Sequence, residues 1–273
     1  MKVAIQGLEA SFHAVAARRL FGQSCQLIPC QTFREVFERT KNGEADRAVL
    51  AIENSLYGSI NDVYDLLLRY KFWIQNEVYE QISLHLVGTE GTRLSDITDV
   101  YSQAPALAEA DVFLDTHLPK AERHEHTDTA LAAKEVAQWQ DSKKAAIASE
   151  IAAQDYGLAI LRRNIETHHD NYTRFIALSP ATAEPAPSSD KTSITFETSD
   201  TPGSLHAALG VFAGRGINLT KLESRPIIGK AWQYMYYVDC AAQLDSTVLD
   251  DLQRHATNIH VLGSYPSGVV EKA

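Results

Sequence analysis

The chain has 273 residues, 45% of them hydrophobic and 22% charged, with a formal net charge of -10 at pH 7. That length accommodates two domains, each with its own core, and the acidic balance argues against a nucleic-acid partner, which needs a basic face to neutralise phosphates. It also means that an anionic ligand has to be held by local cations against an adverse overall field.

Residues 1–7 show neither a long apolar run nor a small-residue cleavage site and read as a first strand, so a cytoplasmic protein is expected. No stretch is long and apolar enough to span a bilayer, and no membrane partner is expected. Strand and helix patterns then alternate. Residues 3–5 read as a strand, 12–20 as a helix and 25–28 as a second strand. Thr32, with Glu35 three residues on, is set to cap the helix that follows. Residues 47–52 read as a buried strand, and Val63, Leu66, Leu67 and Tyr70 share one face of a helix over 62–70. Residues 81–87 alternate with period two, as one long strand would. The pattern restarts with a strand at 99–101, a helix over 106–114, a strand at 123–126, a helix over 128–139 and a strand at 145–148. Two successive α/β units imply two lobes with crossover helices and a crevice between them, at the carboxyl ends of strands.

Residues 176–178 are a further apolar strand. After them proline, alanine and serine dominate residues 179–190 and apolar periodicity ends, which places a linker at 181–190 between a domain over 1–180 and another over 191–273. In the second domain 192–198 reads as a strand, 205–212 as a helix, 217–222 and 232–238 as strands, 248–255 as a helix and 259–262 as a last strand. The order βαββαβ gives a ferredoxin-like sandwich.

Cys25, Cys30 and Cys240 contain no CxxC pair, so their spacing supports neither a metal site nor a disulfide framework, and reduced, mostly buried thiols are expected. His124 and His126 fall on one side of a strand and His168 is followed by His169, but no third ligand at a sensible spacing accompanies either pair, so no metal is expected.

Several segments carry polar residues at strand ends, where a rigid sheet can hold them. The segment Ile52-Glu53-Asn54-Ser55-Leu56-Tyr57-Gly58 ends a buried strand in polar residues and a turn. Gln6-Gly7-Leu8-Glu9-Ala10-Ser11 links the first strand to the first helix, where backbone amides favour an anion, although its spacing is no dinucleotide fingerprint. Tyr101-Ser102-Gln103-Ala104-Pro105-Ala106-Leu107 follows a strand of the second unit, and Glu109 lies just beyond it. Asn171-Tyr172-Thr173-Arg174-Phe175 places a hydroxyl beside a cation. Glu223-Ser224-Arg225-Pro226 closes a strand with a proline stop.

Nearly the whole chain, with these motifs, resembles prephenate dehydratase with a C-terminal ACT regulatory domain. Thr173-Arg174-Phe175 looks like that family's catalytic triplet. Residues 52–55 are similar to its Ile-Glu-Asn-Ser motif, and Gly7 and Ser11 match its Gly-Pro-x-Gly-Ser loop. Ser102 matches the start of its Ser-His-Pro-Gln segment, from which Gln103, Ala104 and Pro105 depart, and Glu109 stands where the family often has glutamine. Gly203-Ser204-Leu205-His206 looks like a variant of the Gly-Ala-Leu-Val loop that cradles phenylalanine.

The resemblance implies an α/β fold: a bilobal catalytic domain like the type II periplasmic binding proteins, with crossovers near 75–90 and 165–180, plus a βαββαβ ACT domain. It implies a lyase that converts prephenate to phenylpyruvate without a cofactor and is inhibited by phenylalanine. No chorismate mutase helices precede Met1, so a monofunctional enzyme is expected. Thr173 would hydrogen-bond the leaving hydroxyl and Arg174 would stabilise the anionic surroundings. Ser11, Asn54, Ser55 and Ser102 would bind substrate oxygens, and Phe175 would orient the catalytic pair at the substrate. Gly203, Leu205, Asn218, Leu219, Glu223, Ser224 and Arg225 would form the effector site in a homodimer or homotetramer. An arogenate dehydratase and a non-catalytic bilobal small-molecule sensor are the alternatives.

Overall fold

The computed structural model describes residues 1–180, 188–227, 229–230 and 232–270. The chain begins with the alternation that its sequence implies: β1 (Lys2–Gln6), α1 (Phe12–Phe21), β2 (Gln26–Cys30), α2 (Phe33–Lys41), β3 (Arg47–Asn54), a short β4 (Gly58–Ser59) and α3 (Asn61–Tyr70). Thr32 caps α2 by accepting from the Glu35 amide at 3.1 Å, and the Glu35 carboxylate reaches back to the Gln31 amide at 2.8 Å.

Next come β5 (Trp73–Gln81) and β6 (His85–Gly88). The expected single strand over 81–87 is therefore two strands. The break is stabilised from a distance: the Leu84 amide, freed from a ladder, donates to the buried Glu166 carboxylate at 2.9 Å. The second α/β unit follows as β7 (Asp99–Gln103), α4 (Ala104–Glu109), α5 (Asp111–His117), β8 (Glu122–His126), α6 (Thr129–Trp139), β9 (Lys144–Ala148), α7 (Glu150–Asp155) and β10 (Ala159–Arg162). The one helix expected over 106–114 is two, joined at Ala110. β11 (Tyr172–Ser179) then carries the Thr-Arg-Phe triplet.

The first sheet has the order β2-β1-β3-β11-β5, with β4 on β3, and the second the order β10-β6-β9-β7-β8. β1 runs parallel to β2 and β3, and β7 parallel to β8 and β9. Val3, Ile5, Val49, Ala51, Val78 and Phe175 pack beneath α1 in one core, while Leu86, Val100, Leu107, Leu114 and Ile147 fill another around the second sheet. α6 buries Ala130, Ala132 and Ala133 completely, and those small side chains let the helix lie close against its sheet.

The remaining elements are β12 (Lys191–Glu197), α8 (Ser204–Ala213), β13 (Leu219–Pro226), β14 (Tyr234–Cys240), α9 (Ser246–Leu252) and β15 (Thr257–Tyr265). They form the expected βαββαβ unit, with the antiparallel strand order β13-β14-β12-β15. Ile194, Phe196, Phe212, Val238 and Leu252 make its core. Of the expected linker at 181–190, residues 181–187 lie outside the described residues. Asp190, at its end, is fixed by the Ser267 amide at 2.6 Å and the Ser267 hydroxyl at 2.9 Å.

By mutual packing the chain divides into two units, one built on Met1–Leu66 and Val78–Phe175, the other on Leu67–Glu77 and Ile176–Val269. Among the described residues no helix is long and apolar enough to cross a membrane. The second unit contains a buried ionic knot: Lys191 Nζ lies 3.0 Å from both oxygens of Glu77 and 3.7 Å from Asp239. All three side chains are buried, so removing the cation strands two carboxylates away from water. Lys191→Met should lower the unfolding free energy by about 3–5 kcal/mol, measured by denaturant titration.

Candidate active site

The carboxyl ends of β1, β3, β7 and β8 converge, as the crevice rule for open α/β sheets leads one to expect, on a cavity of about 310 Å³ inside the first unit. Gln6 and Ser11 reach it from the β1–α1 turn, Asn54 and Tyr57 from the end of β3, and Gln103 and Glu109 from β7 and α4. Asp128 comes from the start of α6, and Thr173 and Phe175 from β11. The β1–α1 turn needs its glycine: Gly7 has φ +88°, and a Cβ there would lie 2.4 Å from Asp128 Oδ2.

Asn54 organises the wall. Its Oδ1 accepts from the Leu56 amide at 2.9 Å and the Tyr57 amide at 3.0 Å, which fixes the orientation of the side-chain amide. Its Nδ2 therefore faces away and donates to Asn171 Oδ1 at 2.7 Å and Thr173 Oγ1 at 3.0 Å. Asn171 is in turn fixed with its nitrogen outward, donating to Glu109 Oε2 at 2.5 Å. Two consequences follow from donor and acceptor counts. Thr173 Oγ1 receives a proton from Asn54, so its own O–H remains to be donated into the cavity. Glu109 Oε2 is always an acceptor, so any proton on this carboxyl resides on Oε1.

Burial pushes the Glu109 carboxyl up to about 7; the Asn171 hydrogen bond opposes that shift and nearby Glu166 reinforces it. Burial also raises Asp128 and Tyr57. His13 is pushed down to about 3 by burial, so it is neutral. Its Nε2 accepts from the Ala51 amide at 3.2 Å, and its ring meets the Phe175 ring edge-on at 5.0 Å. Among the described residues the cavity lining holds no lysine or arginine.

The expected site residues divide. Thr173, Phe175, Asn54 and Ser11 line the cavity, with Ser11 also capping α1 through the Ala14 amide at 3.3 Å. Arg174 does not. Successive strand residues point to opposite faces, and Arg174, only 3% exposed, lies 3.6 Å from Glu53 instead. Ser102 is fully buried and donates to the Ile147 carbonyl at 2.7 Å; its neighbour Gln103 lines the cavity in its place. Ser55 is a tie, donating to the Asp170 carbonyl at 3.1 Å and accepting from the Tyr172 amide at 2.9 Å. Sequence reasoning missed Asn171, Tyr57 and His13. Tyr57 donates to the Pro105 carbonyl at 3.0 Å, joining the β3–β4 turn to α4. Asp128 had a visible signal, a helix cap, which it makes to the Leu131 amide at 2.9 Å.

In the second unit a cavity of about 290 Å³ is lined by Gly203, Leu205, His206, Trp232 and Tyr236 among others. Asn218, Leu219, Glu223, Ser224 and Arg225 lie apart from it, on or beside β13 at the edge of the sheet. The histidine pairs also gain partners invisible in the sequence. His124 Nε2 lies 2.8 Å from Asp99 Oδ1 on the neighbouring strand, with Glu122 close by, whereas His126 faces Glu135 at 3.5 Å.

Residues 3–183 match the family model "Prephenate dehydratase", and residues 192–257 match "ACT domain". The chain belongs to the prephenate dehydratase family. A bifunctional chorismate mutase/prephenate dehydratase of Aquifex aeolicus is 38% identical over 276 residues, covering 100% of this chain and 75% of the relative. Arogenate dehydratase 2 of Petunia hybrida is 39% identical over 290 residues, covering 98% and 72%. Among solved structures, prephenate dehydratase of Arthrobacter aurescens in complex with L-Phe superposes with a TM-score of 0.88 at 30% identity, covering 97% of this chain and 90% of that one. A protein described as a novel type of quorum quenching acylase superposes with a TM-score of 0.87 at 30% identity, covering 98% of both chains.

Glu109 makes the stability of this prephenate dehydratase family member pH-dependent. Its folded-state pKa of about 7 lies above the ordinary value of 4.5, so the native state binds the extra proton between these limits. Stability from this group is therefore fully present below the lower value and declines as pH rises towards 7. Denaturant titrations at pH 5 and pH 8 should show a larger loss in the wild type than in Glu109→Gln.

Proposed function

We propose that the chain catalyses the decarboxylative dehydration of prephenate to phenylpyruvate, a carbon–oxygen lyase reaction of phenylalanine biosynthesis, under feedback inhibition by phenylalanine. The observation that carries this reading is the Thr173 hydroxyl, whose hydrogen is left to the cavity because Asn54 occupies its oxygen. In the reaction the ring carboxylate departs as carbon dioxide, its bonding pair enters the ring, and the hydroxyl at the opposite carbon leaves. Aromatisation supplies most of the driving force. The protein has to orient the substrate, exclude water and stabilise the departing oxygen. That chemistry calls for neither a redox group nor a carbanion-stabilising cofactor.

Thr173 donates to the leaving oxygen as charge develops on it. Ser11 and Gln103 offer further polar contacts from opposite sides of the cavity, and Phe175 provides an apolar wall against His13. Arg174 acts from behind the strand as a positioning residue: it lies beside Glu53, next in sequence to Asn54. Residues 1–180 form the catalytic domain in this reading and 191–273 the regulatory ACT domain. Phenylalanine binds the ACT domain and shifts the catalytic affinity by a coupling of about 1–3 kcal/mol, or roughly 5- to 150-fold. ACT domains associate isologously into a cytoplasmic homodimer or homotetramer. The A. aurescens relative crystallised with L-Phe supports the regulatory part.

The likeness to a quorum quenching acylase raises amide hydrolysis as a rival. A threonine nucleophile needs a base in contact with its hydroxyl. Among the described residues the hydrogen bond at Thr173 Oγ1 comes from an amide, and neutral His13 already spends Nε2 on Ala51, so the geometry favours the dehydratase.

Thr173→Ala should lower kcat by about 10²–10³, the effect of losing one preorganised donor, with KM little changed. Ultraviolet absorbance of phenylpyruvate reads this directly, and near-normal turnover in the variant would remove Thr173 from the mechanism. Thr173→Ser should retain a sizeable part of the activity. Calorimetric titration with phenylalanine should give a saturable heat; silence at millimolar concentration would remove the regulatory assignment and leave the enzyme assignment standing.

A further inference from the structure

A hydroxyl that leaves with its bonding pair needs a proton, and Thr173 can donate a hydrogen bond to it but is too weak an acid to give the proton up. Among the described residues four titratable side chains line the cavity: His13, Tyr57, Glu109 and Asp128. Three of them are spent. His13 is neutral and its Nε2 accepts from the Ala51 amide, which leaves only the N–H of an uncharged ring. Tyr57 gives its O–H to the Pro105 carbonyl, and burial makes it a weaker acid still. Asp128 accepts from the Leu131 amide at 2.9 Å and holds the start of α6 as an acceptor.

Glu109 differs. Its carbonyl is held by Thr167, and its Oε2 accepts from Asn171 at 2.5 Å, so the carboxyl is fixed in place. Among the described residues no hydrogen bond engages Oε1, although the side chain lines the cavity and is 9% exposed. The charged and titratable groups around it do not favour its ionised form. Glu166 precedes β11 and is itself 3.3 Å from His169; Asp128 shares the lining; Tyr57 and, beside it, Asp111 approach from the β3–β4 turn and the start of α5. Among the described residues no lysine or arginine lines the cavity. Burial and Glu166 keep the proton on this carboxyl up to about pH 7.

Resting on the dehydratase reading above, we propose that Glu109 is the general acid of the reaction: its carboxyl, anchored through Oε2 on Asn171, passes the proton on Oε1 to the departing hydroxyl. Thr173 and Glu109 then act on one oxygen, the first by a hydrogen bond and the second by proton transfer, and both are oriented by the same pair of asparagines. The ring–carboxylate bond breaks and its pair enters the ring. The ring–hydroxyl bond breaks and its pair leaves on oxygen, which takes the Glu109 proton and departs as water. Prephenate, a dianion, plus that proton gives the phenylpyruvate anion, carbon dioxide and water. Glu109 is left as a carboxylate and regains a proton from solvent once the product has gone.

The test is kcat and KM for prephenate from about pH 5.5 to about pH 9, with the full-length wild type, Glu109→Gln and Thr173→Ala. The wild type should lose kcat as pH rises, by roughly tenfold per pH unit once Glu109 is ionised in the complex. Glu109→Gln keeps the size of the side chain but has no proton to transfer. It should be slower by about 10²–10⁴ at the acid end of the range, with a kcat that no longer varies with pH. Thr173→Ala should be slow but keep the wild-type slope, because the acid is still present. A wild-type kcat that is level across the range overturns the proposal, as does a Glu109→Gln profile that follows the wild type. So does a wild type in which KM alone rises with pH, since that is repulsion of the substrate by an ionised carboxylate rather than proton transfer. Each of these leaves the dehydratase reading standing; a wild type that consumes no prephenate at any pH overturns both. The wild-type profile needs no variant, so the proposal can fail even if Glu109→Gln misfolds.

Discussion

The side-chain amide of Asn54 is held at both ends, and the direction of each polar group along the cavity wall follows from that. Two backbone amides of the β3–β4 turn fix its oxygen, so its nitrogen has to face Asn171 and Thr173. Flipping it would set a nitrogen against the two exposed turn amides and an oxygen against the buried Asn171 Oδ1, which would lose its donor at a cost of about 1–3 kcal/mol. The same directionality passes through Asn171 to Glu109. A neutral hydroxyl thus becomes an oriented donor without a charged neighbour, and a carboxyl acquires one committed and one uncommitted oxygen.

The fold serves this wall by bringing distant segments to it. Asn54 lies 117 residues from Asn171 and 119 from Thr173 along the chain. Ser55 closes the junction, accepting from the Tyr172 amide with its hydroxyl while its own amide donates to the Tyr172 carbonyl at 2.8 Å. On the other side, Thr167 holds the Glu109 carbonyl with its amide at 2.7 Å and its hydroxyl at 2.9 Å, fixing the end of α4. Side chains on strands, turns and a helix start are thereby positioned by backbone contacts, which suits a site that works by orientation.

Much of this was legible in the sequence because it is local. The Thr32–Glu35 cap, the alternation of strands and helices and the βαββαβ order of the second unit are written in nearest-neighbour chemistry. The break after β5 was not, because the group that satisfies Leu84 is Glu166, far along the chain. Arg174 and Ser102 show a different limit. Each sits in the right motif, yet period-two alternation turns Arg174 to the far face of its strand and gives the cavity to Gln103 rather than Ser102. Asn171 preceded the triplet in plain view, but its role as the link between Asn54 and Glu109 exists only in three dimensions.

The turn that contains Asn54 also bears on the chemical longevity of the protein. An asparagine followed by a serine is prone to spontaneous deamidation, in which the backbone nitrogen of the next residue attacks the side-chain carbonyl and closes a succinimide ring. Here that nitrogen, Ser55 N, is engaged with the Tyr172 carbonyl at 2.8 Å, and the carbonyl it would attack is held by two amides on the turn. Both reacting atoms are occupied while the chain is folded. Ageing at this position would convert the donor to Thr173 into an acid, so the contacts that orient the amide also shield it from its own neighbour.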